Sequence, residues 1–576
     1  MNHKSFTRKK AFSWGSILLL YLLLAAVFIL PRLLRLDQFV TPDENLWLRR
    51  SANFYFALGQ RDYAKTFQRE YPGVTGTWAG TGGFLLAYPE YRGSGAGYYE
   101  SSGMLNMFLE ERGVTSLELL VAGRVFVILF CALAFLCAFA ILEKLIGLPG
   151  ALFVTLFLSL DPFYFGLTRL LHLDAMLASF MFLSLLAFLA YQHTGRWPYL
   201  LLSSFAAALS WLTKSPGLFL IPFIGLLAVY QHLPHLKSDG IKQLWPFTRP
   251  LLIWGGVAAA IFVLMWPSMW VQPFDSVKAI FDVSVEYATK GHYSQHLFYG
   301  RIGNGADFPW WYYPVTFLWR ATPLTLLGLA LAAIASIRQW GLFSQPHIRE
   351  IVMKGLLFSL SFMLFMHIGA KKFDRYMLPA QLWLDLIASL GWLSLGYVLF
   401  SSIRKEKWRT ALTSVGLSLV VLAQGLPLLH TYPYYLTYYD PCMGGLPKAV
   451  QVQTVGWGEG LEQAAIYLNS LPDSYKFDVL SFYGYGSLSY YFQGSVSSIS
   501  PIQEWDRENA EKLRSADYVV TYISQRQRSI TGPLLAMLQN IPPYYVFTID
   551  GVEYVWLYNL AKAPPAELER LRQFDE

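Results

Sequence analysis

The chain has 576 residues, 54% of them hydrophobic and only 14% charged, against about 25% charged residues in an average soluble domain. The apolar residues are gathered into long runs, which excludes a soluble globular protein and indicates a polytopic integral membrane protein. The net charge of +7 comes from Lys and Arg dispersed between apolar runs, which excludes a nucleic-acid binder and fits basic loops on a cytoplasmic face.

The basic N-terminus leads into an apolar run ending at Pro31-Arg32. It has no convincing small-residue cleavage site, so it reads as a retained first helix rather than a signal peptide. About eleven apolar segments have the length a bilayer needs or fall somewhat short of it: 13–30, 116–142, 150–165, 175–191, 199–212, 217–230, 251–266, 313–337, 351–368, 377–400 and 411–429. Basic residues before the first segment, at Lys144, Arg196, Lys237, Lys242, Arg249, Arg338, Arg349 and Lys354, and in the 404–409 turn share one face, the cytoplasmic one. Asp43-Glu44, the loop holding Asp174, residues 268–312, Lys371–Arg375 and the C-terminal tail then share the other. Segments 199–212 and 217–230 are short, and fusing them through Lys214-Ser215-Pro216 would put the basic 404–409 turn outside; two separate crossings are therefore expected.

The long outer loop 34–115 begins with Thr41-Pro42-Asp43-Glu44. Ionised groups at that depth are costly unless they line a wet cavity or do chemistry; both acids also suit the start of a helix. Leu46–Leu58 reads as an amphipathic stretch lying in the interface, and the Gly/Tyr-rich section from Tyr71 to Tyr99 as turns. In the second long loop, 268–312, His292 and His296 would share a helical face at metal-ligand spacing, with no third ligand. Cys131, Cys137 and Cys442 form neither a disulfide framework nor a zinc cluster.

From about residue 431 the apolar runs shorten to strand length. Phe477–Phe482 and Asp517–Tyr522 read as buried strands, Leu461–Leu468 and Asn509–Arg514 as helices, and Tyr544–Tyr558 as a hairpin turning at Asp550-Gly551. An α/β domain over 431–576 is expected outside the membrane, beyond a transmembrane domain over 1–430. The glycines of Gly456-Trp457-Gly458-Glu459-Gly460 are wrongly spaced for nucleotide binding and mark a structural turn before a helix.

Three features meet on the outer face: Asp43-Glu44; Arg169 and Asp174 with His172 between them; and the cations Lys214, Lys371, Lys372 and Arg375. Each has a plain alternative as a helix cap, a snorkelling side chain or a non-specific lipid contact. In order and placement the motifs resemble those of the polytopic, lipid-phosphosugar-using glycosyltransferases of the C-type fold, the protein O-mannosyltransferases and the bacterial aminoarabinose transferase. Pro42-Asp43-Glu44 resembles their first-loop acidic motif, Arg169…Asp174 their second-loop pattern, Leu212-Thr213-Lys214 their Thr-Lys turn, and Arg375-Tyr376-Met377-Leu378-Pro379 their Arg-Tyr-x-x-Pro stretch. The likeness spans roughly residues 12–430. Loop 268–312 has no room for the β-trefoil of protein O-mannosyltransferases, which argues against a protein acceptor and for a bacterial plasma membrane.

The resemblance implies a sugar donor on polyprenyl monophosphate and a hydroxyl acceptor on a glycan, lipid or protein. Asp43 is the implied general base, Glu44 positions the acceptor, and Asp174 orients the sugar or base. Lys214 and Arg375, then Arg169 and Lys371, bind the donor phosphate; Tyr376 and His292 contact sugar or acceptor. No metal or cofactor is assigned, a divalent ion shared by Asp43 and Asp174 being the alternative. Competing readings are a transporter or flippase using Asp385, and an outer receptor module on a helical anchor.

Overall fold

The computed structural model describes residues 14–70, 72–239, 244–289, 295–500 and 504–573. The eleven apolar segments are largely helical: Trp14–Leu33, Ser116–Ile146, Leu148–Ser159, Asp174–Thr194, Trp197–Thr213, Leu220–Asp239, Leu244–Met265, Pro323–Arg338, Pro346–Ile368, Leu378–Leu399 and Glu406–His430, with 150–165 continuing after a break into Pro162–Leu167 and 313–337 beginning in a separate helix, Tyr312–Arg320. Helix is what lipid demands of such runs, because it satisfies every interior backbone group within the segment. Among the described residues, 8 helices are long and apolar enough to cross a membrane. Asp174–Thr194 and Leu378–Leu399, buried along most of their length, form the centre of the bundle.

The two short segments are separate helices. Lys214 is extended (φ −162°, ψ 144°) and interrupts the helix. Its Nζ lies 2.7 Å from Asp174, at the start of Asp174–Thr194. Gln192, near the end of that helix, donates to the Leu227 carbonyl at 3.3 Å. Between Lys214 and Leu227 the chain has therefore travelled from one end of the bundle to the other.

The first outer loop departs from expectation twice. Glu44–Gln60 is a helix buried on most of its faces, packed inside the assembly rather than laid on an interface. Val74–Ala87 is also helical, where turns were expected. Its glycines are a packing surface: a Cβ on Gly83 would sit 2.5 Å from the Gly123 backbone nitrogen. Small residues let two helices approach backbone to backbone, the usual device where lipid supplies no hydrophobic drive.

Beyond the bundle lie seven strands: β1 (His296–Phe298), β2 (Arg301–Gly303), β3 (Asp478–Ser481), β4 (Ser495–Ser498), β5 (Tyr518–Tyr522), β6 (Tyr545–Ile549) and β7 (Val552–Asn559). β1 and β2 form a hairpin in the second long loop. The other five make one sheet of order β4-β3-β5-β7-β6. β3 runs parallel to β4 and β5, and β7 antiparallel to β5 and β6. Asp550 (φ 49°) and Gly551 (φ 73°) give the left-handed pair that a two-residue hairpin needs. β4 went unforeseen because Ser-Val-Ser-Ser on a sheet edge carries almost no apolar signal.

The sheet region is fastened over one end of the bundle. Tyr299 N donates to Val452 O at 2.7 Å, Tyr491 Oη to Asp37 O at 2.6 Å and Asn45 Nδ2 to Tyr485 O at 3.1 Å. Gly83→Val is expected to destabilise the protein by about 1–3 kcal/mol through overpacking, read as a lower unfolding midpoint in detergent. Gly93→Ala, where a Cβ meets open space, should leave that midpoint unchanged.

Candidate active site

The two adjacent acids point in different directions. Glu44 is fully buried, and Arg124 grips it with two hydrogen bonds, Nε to Oε1 at 2.7 Å and Nη2 to Oε2 at 2.6 Å. The same carboxylate accepts from Thr41 N at 3.0 Å and Leu171 N at 2.8 Å. Arg124 also donates to the carbonyls of Leu36 and Phe39 at 2.6 and 2.9 Å. One ion pair thus joins the Asp43 loop, the helix Ser116–Ile146 and the turn before Asp174. Asp43 begins the next helix yet makes no capping hydrogen bond; its side chain, 38% exposed, turns towards open space.

Around that space the charges interlock. Arg375 Nη2 is 3.4 Å from Asp43 Oδ2 and its Nε 3.1 Å from Asp174 Oδ2. Lys214 Nζ is 2.7 Å from Asp174 Oδ1. His172 lies between the two acids, 3.6 Å from Asp43 and 3.3 Å from Asp174. Lys214 sits 4.0 Å above the Tyr376 ring. Burial opposes ionisation of Asp43, but the neighbouring His172 and the charge of Arg375 outweigh it and hold the carboxyl well below the usual range. Burial, then repulsion from Lys214 and Arg375, lowers Lys371 to about 8.

Two chambers meet at this cluster. The first, of about 370 Å³, is lined by Asp43, His172, Lys214, Lys371, Arg375 and Tyr376 on one side and by Leu218, Phe365 and Ile368 on the other. The second, of about 300 Å³, lies under the sheet region, with walls that include Phe163, Tyr312, Trp457 and Arg528. Asp43, Lys371 and Arg375 border both. Among the described residues no group of three or more His, Cys, Asp or Glu is arranged to hold a metal ion.

Residues 112–266 match the model of the dolichyl-phosphate-mannose-protein mannosyltransferase family, a stretch that carries Arg124, Arg169, His172, Asp174 and Lys214. The matched family is one of membrane glycosyltransferases, and the match covers part of this chain. No curated protein sequence matches it. Among solved structures it is similar to ArnT from Cupriavidus metallidurans bound to undecaprenyl phosphate, at 14% identity and a TM-score of 0.46 over 96% of this chain and 100% of that one. It is also similar to archaeal AglB from Archaeoglobus fulgidus, an oligosaccharyltransferase in complex with an inhibitory peptide and a dolichol-phosphate, at 12%, 0.45, 97% and 77%. The S. cerevisiae protein O-mannosyltransferase Pmt1-Pmt2 complex bound to the sugar donor follows at 17%, 0.33, 46% and 34%.

The structure brings six of the expected residues together: Asp43, Asp174, Lys214, Lys371, Arg375 and Tyr376. Two others lie elsewhere. Glu44, expected beside an acceptor, is walled into the bundle by Arg124 and lines neither chamber. Arg169, expected on a phosphate, is buried outside both, its guanidinium spent on the carbonyls of Arg32 and Arg35 at 2.9 and 3.0 Å. His292 lies outside the described residues. Sequence reasoning missed Arg124, although an arginine inside an apolar run is itself a signal, and Trp457. His172 stands between the two acids as a structural partner. Glu44→Gln keeps the shape but strands the Arg124 charge, and should cost the protein about 3–5 kcal/mol, measured as a drop in its unfolding midpoint.

Proposed function

We propose that this transferase moves a sugar from a polyprenyl-phosphate donor to a hydroxyl acceptor, with Asp43 as general base. The observation that carries this reading is the junction: one carboxylate and two cations, Asp43, Lys371 and Arg375, border both chambers. The first chamber has a cationic end and an apolar flank. Phe365 and Ile368, 41% and 73% exposed, continue onto the outer face of the bundle, a route for a prenyl chain. A phosphate at the other end would meet Lys214, Lys371 and Arg375. The acceptor would enter the second chamber from the side of the sheet.

The chemistry follows from these placements. Asp43 takes the acceptor O–H proton as the oxygen attacks the anomeric carbon. The bond from that carbon to the phosphate oxygen breaks, and the electron pair leaves with the lipid phosphate. The three cations stabilise the charge that develops there, more in the transition state than in the ground state. Attack from the second chamber on a donor in the first is a single displacement, which inverts the anomeric centre. Asp174, held by Lys214, His172 and Arg375, keeps those groups in place. Arg375 makes Asp43 a weak base; an arriving phosphate that draws on Arg375 raises its basicity when it is needed.

The distribution of basic loops supports an N-terminus in the cytoplasm and a site and sheet region outside it. The small hairpin of β1 and β2, standing where a β-trefoil would be, keeps the reading at a bacterial plasma membrane. Against a transporter, Asp385 is fully buried, accepts from Thr325 Oγ1 at 2.9 Å and lines neither chamber.

Asp43→Asn should lower sugar transfer from a polyprenyl-phosphate donor by roughly 10²–10⁴-fold while polyprenyl phosphate still binds; a loss below tenfold would remove Asp43 from the base role. Lys371 loses its charge as pH rises through about 8. Polyprenyl phosphate affinity should therefore fall over that range, and Lys371→Arg should move the fall to higher pH, as read from binding titrations at stepped pH.

A further inference from the structure

The loop Gly456–Gly460 joins the sheet region to the charged cluster. Gly458 has φ +110°, and a Cβ there would lie 2.5 Å from the Val40 carbonyl oxygen, so the loop rests directly on the segment leading into Asp43. Its shape is fixed from the sheet side. Trp457 N donates to Glu459 Oε2 at 2.6 Å, and Gly458 N to Tyr522 Oη at 2.9 Å. Tyr522 Oη donates in turn to Glu459 Oε2 at 3.0 Å. Glu459 and Tyr522 are both buried, so Trp457 is presented on a braced turn.

Trp457 meets the two groups that connect the carboxylates. The Arg375 guanidinium carbon lies 4.1 Å from the Trp457 ring and 4.1 Å from the Phe373 ring. The His172 ring stands edge-on to the indole, centroids 5.0 Å apart at 86°. Phe373 belongs to the bundle and Trp457 to the sheet region, so Arg375 is flanked by aromatic rings from two distant parts of the chain. A guanidinium on an aromatic face keeps its charge while losing rotational freedom, and the attraction strengthens as water is excluded.

We infer that Trp457 is a positioning residue that fixes Arg375 and His172 over Asp43 and Asp174, so that docking of the sheet region completes the anion site of the bundle. This rests on the donor reading above. Without the indole, Arg375 keeps its ion pairs but loses one wall, and its guanidinium can swing off the line to a phosphate. Removing the ring should therefore weaken anion binding and also slow transfer. A purely structural role for the loop would lower stability and leave both constants per folded molecule unchanged.

The test uses the purified full chain, undecaprenyl phosphate as the binding probe, and three proteins: the parent, Trp457→Ala and Trp457→Phe. Unfolding midpoints are recorded alongside, and constants are referred to folded protein. The expected result is a roughly tenfold or greater loss of undecaprenyl phosphate affinity in Trp457→Ala, the scale of one desolvated cation–π contact. Most of that affinity should return in Trp457→Phe. In transfer assays Trp457→Ala should raise KM for the donor and lower kcat. Parent-like affinity and kcat in Trp457→Ala would overturn the inference while leaving the donor reading intact. A parent protein that does not bind undecaprenyl phosphate would overturn the donor reading and this inference with it. If Trp457→Ala fails to fold, Trp457→Leu takes its place: it keeps apolar volume without a π face, and parent-like affinity there would equally contradict the proposal.

Discussion

The buried pair of Glu44 and Arg124 is the contact on which the geometry of the site depends. Two charges removed from water are costly unless each is surrounded by partners, and here the requirement is met by groups the site needs held. Glu44 collects Thr41 and the turn at Leu171, and Arg124 collects the carbonyls of Leu36 and Phe39. The loop before Asp43 and the turn before Asp174 are thereby locked to one point. With Glu44 drawn inward, its neighbour on the helix start is left facing the chamber. Two adjacent carboxylates thus acquire opposite fates, one inside the bundle and one in contact with water.

On the proposed reading, the charged cluster beyond that lock takes an anion. Asp43 and Asp174 are met by Lys214, Lys371 and Arg375, which leaves positive charge in excess before His172 is considered. The cations contact aromatic rings as well as acids: Lys214 over Tyr376, Arg375 beside Phe373 and Trp457. Rings hold a cation in place without neutralising it, so its charge stays available to a ligand. On the proposed reading, the apolar flank of the first chamber serves the lipid-linked donor and the second chamber the acceptor.

Much of this was legible in the sequence, for physical reasons that differ by region. Helices in the bundle announce themselves because lipid forces long apolar runs, and the alternation of basic loops kept Trp197–Thr213 and Leu220–Asp239 apart. The hairpin of β6 and β7 was readable from Asp550-Gly551. Val74–Ala87 was hidden because glycine signals a turn in water but close helix contact in a bundle. Glu44 and Arg169 carried the right residue types next to the site, yet spacing alone does not say which way a side chain leaves its turn. Trp457 was invisible to local reading: its partners Arg375 and His172 lie far away in sequence, and only the docking of the sheet region brings them together.

The most direct test is an experimental structure of the full chain in lipid with undecaprenyl phosphate bound. The account predicts the phosphate in the first chamber, within hydrogen-bonding reach of Lys214 or Arg375, with Asp43 across from it and the prenyl chain running past Phe365 and Ile368. A phosphate bound at the opposite end of the bundle, where His193 in the last turn of Asp174–Thr194 stacks on His347, or an Asp43 carboxylate turned away from it, would contradict the account.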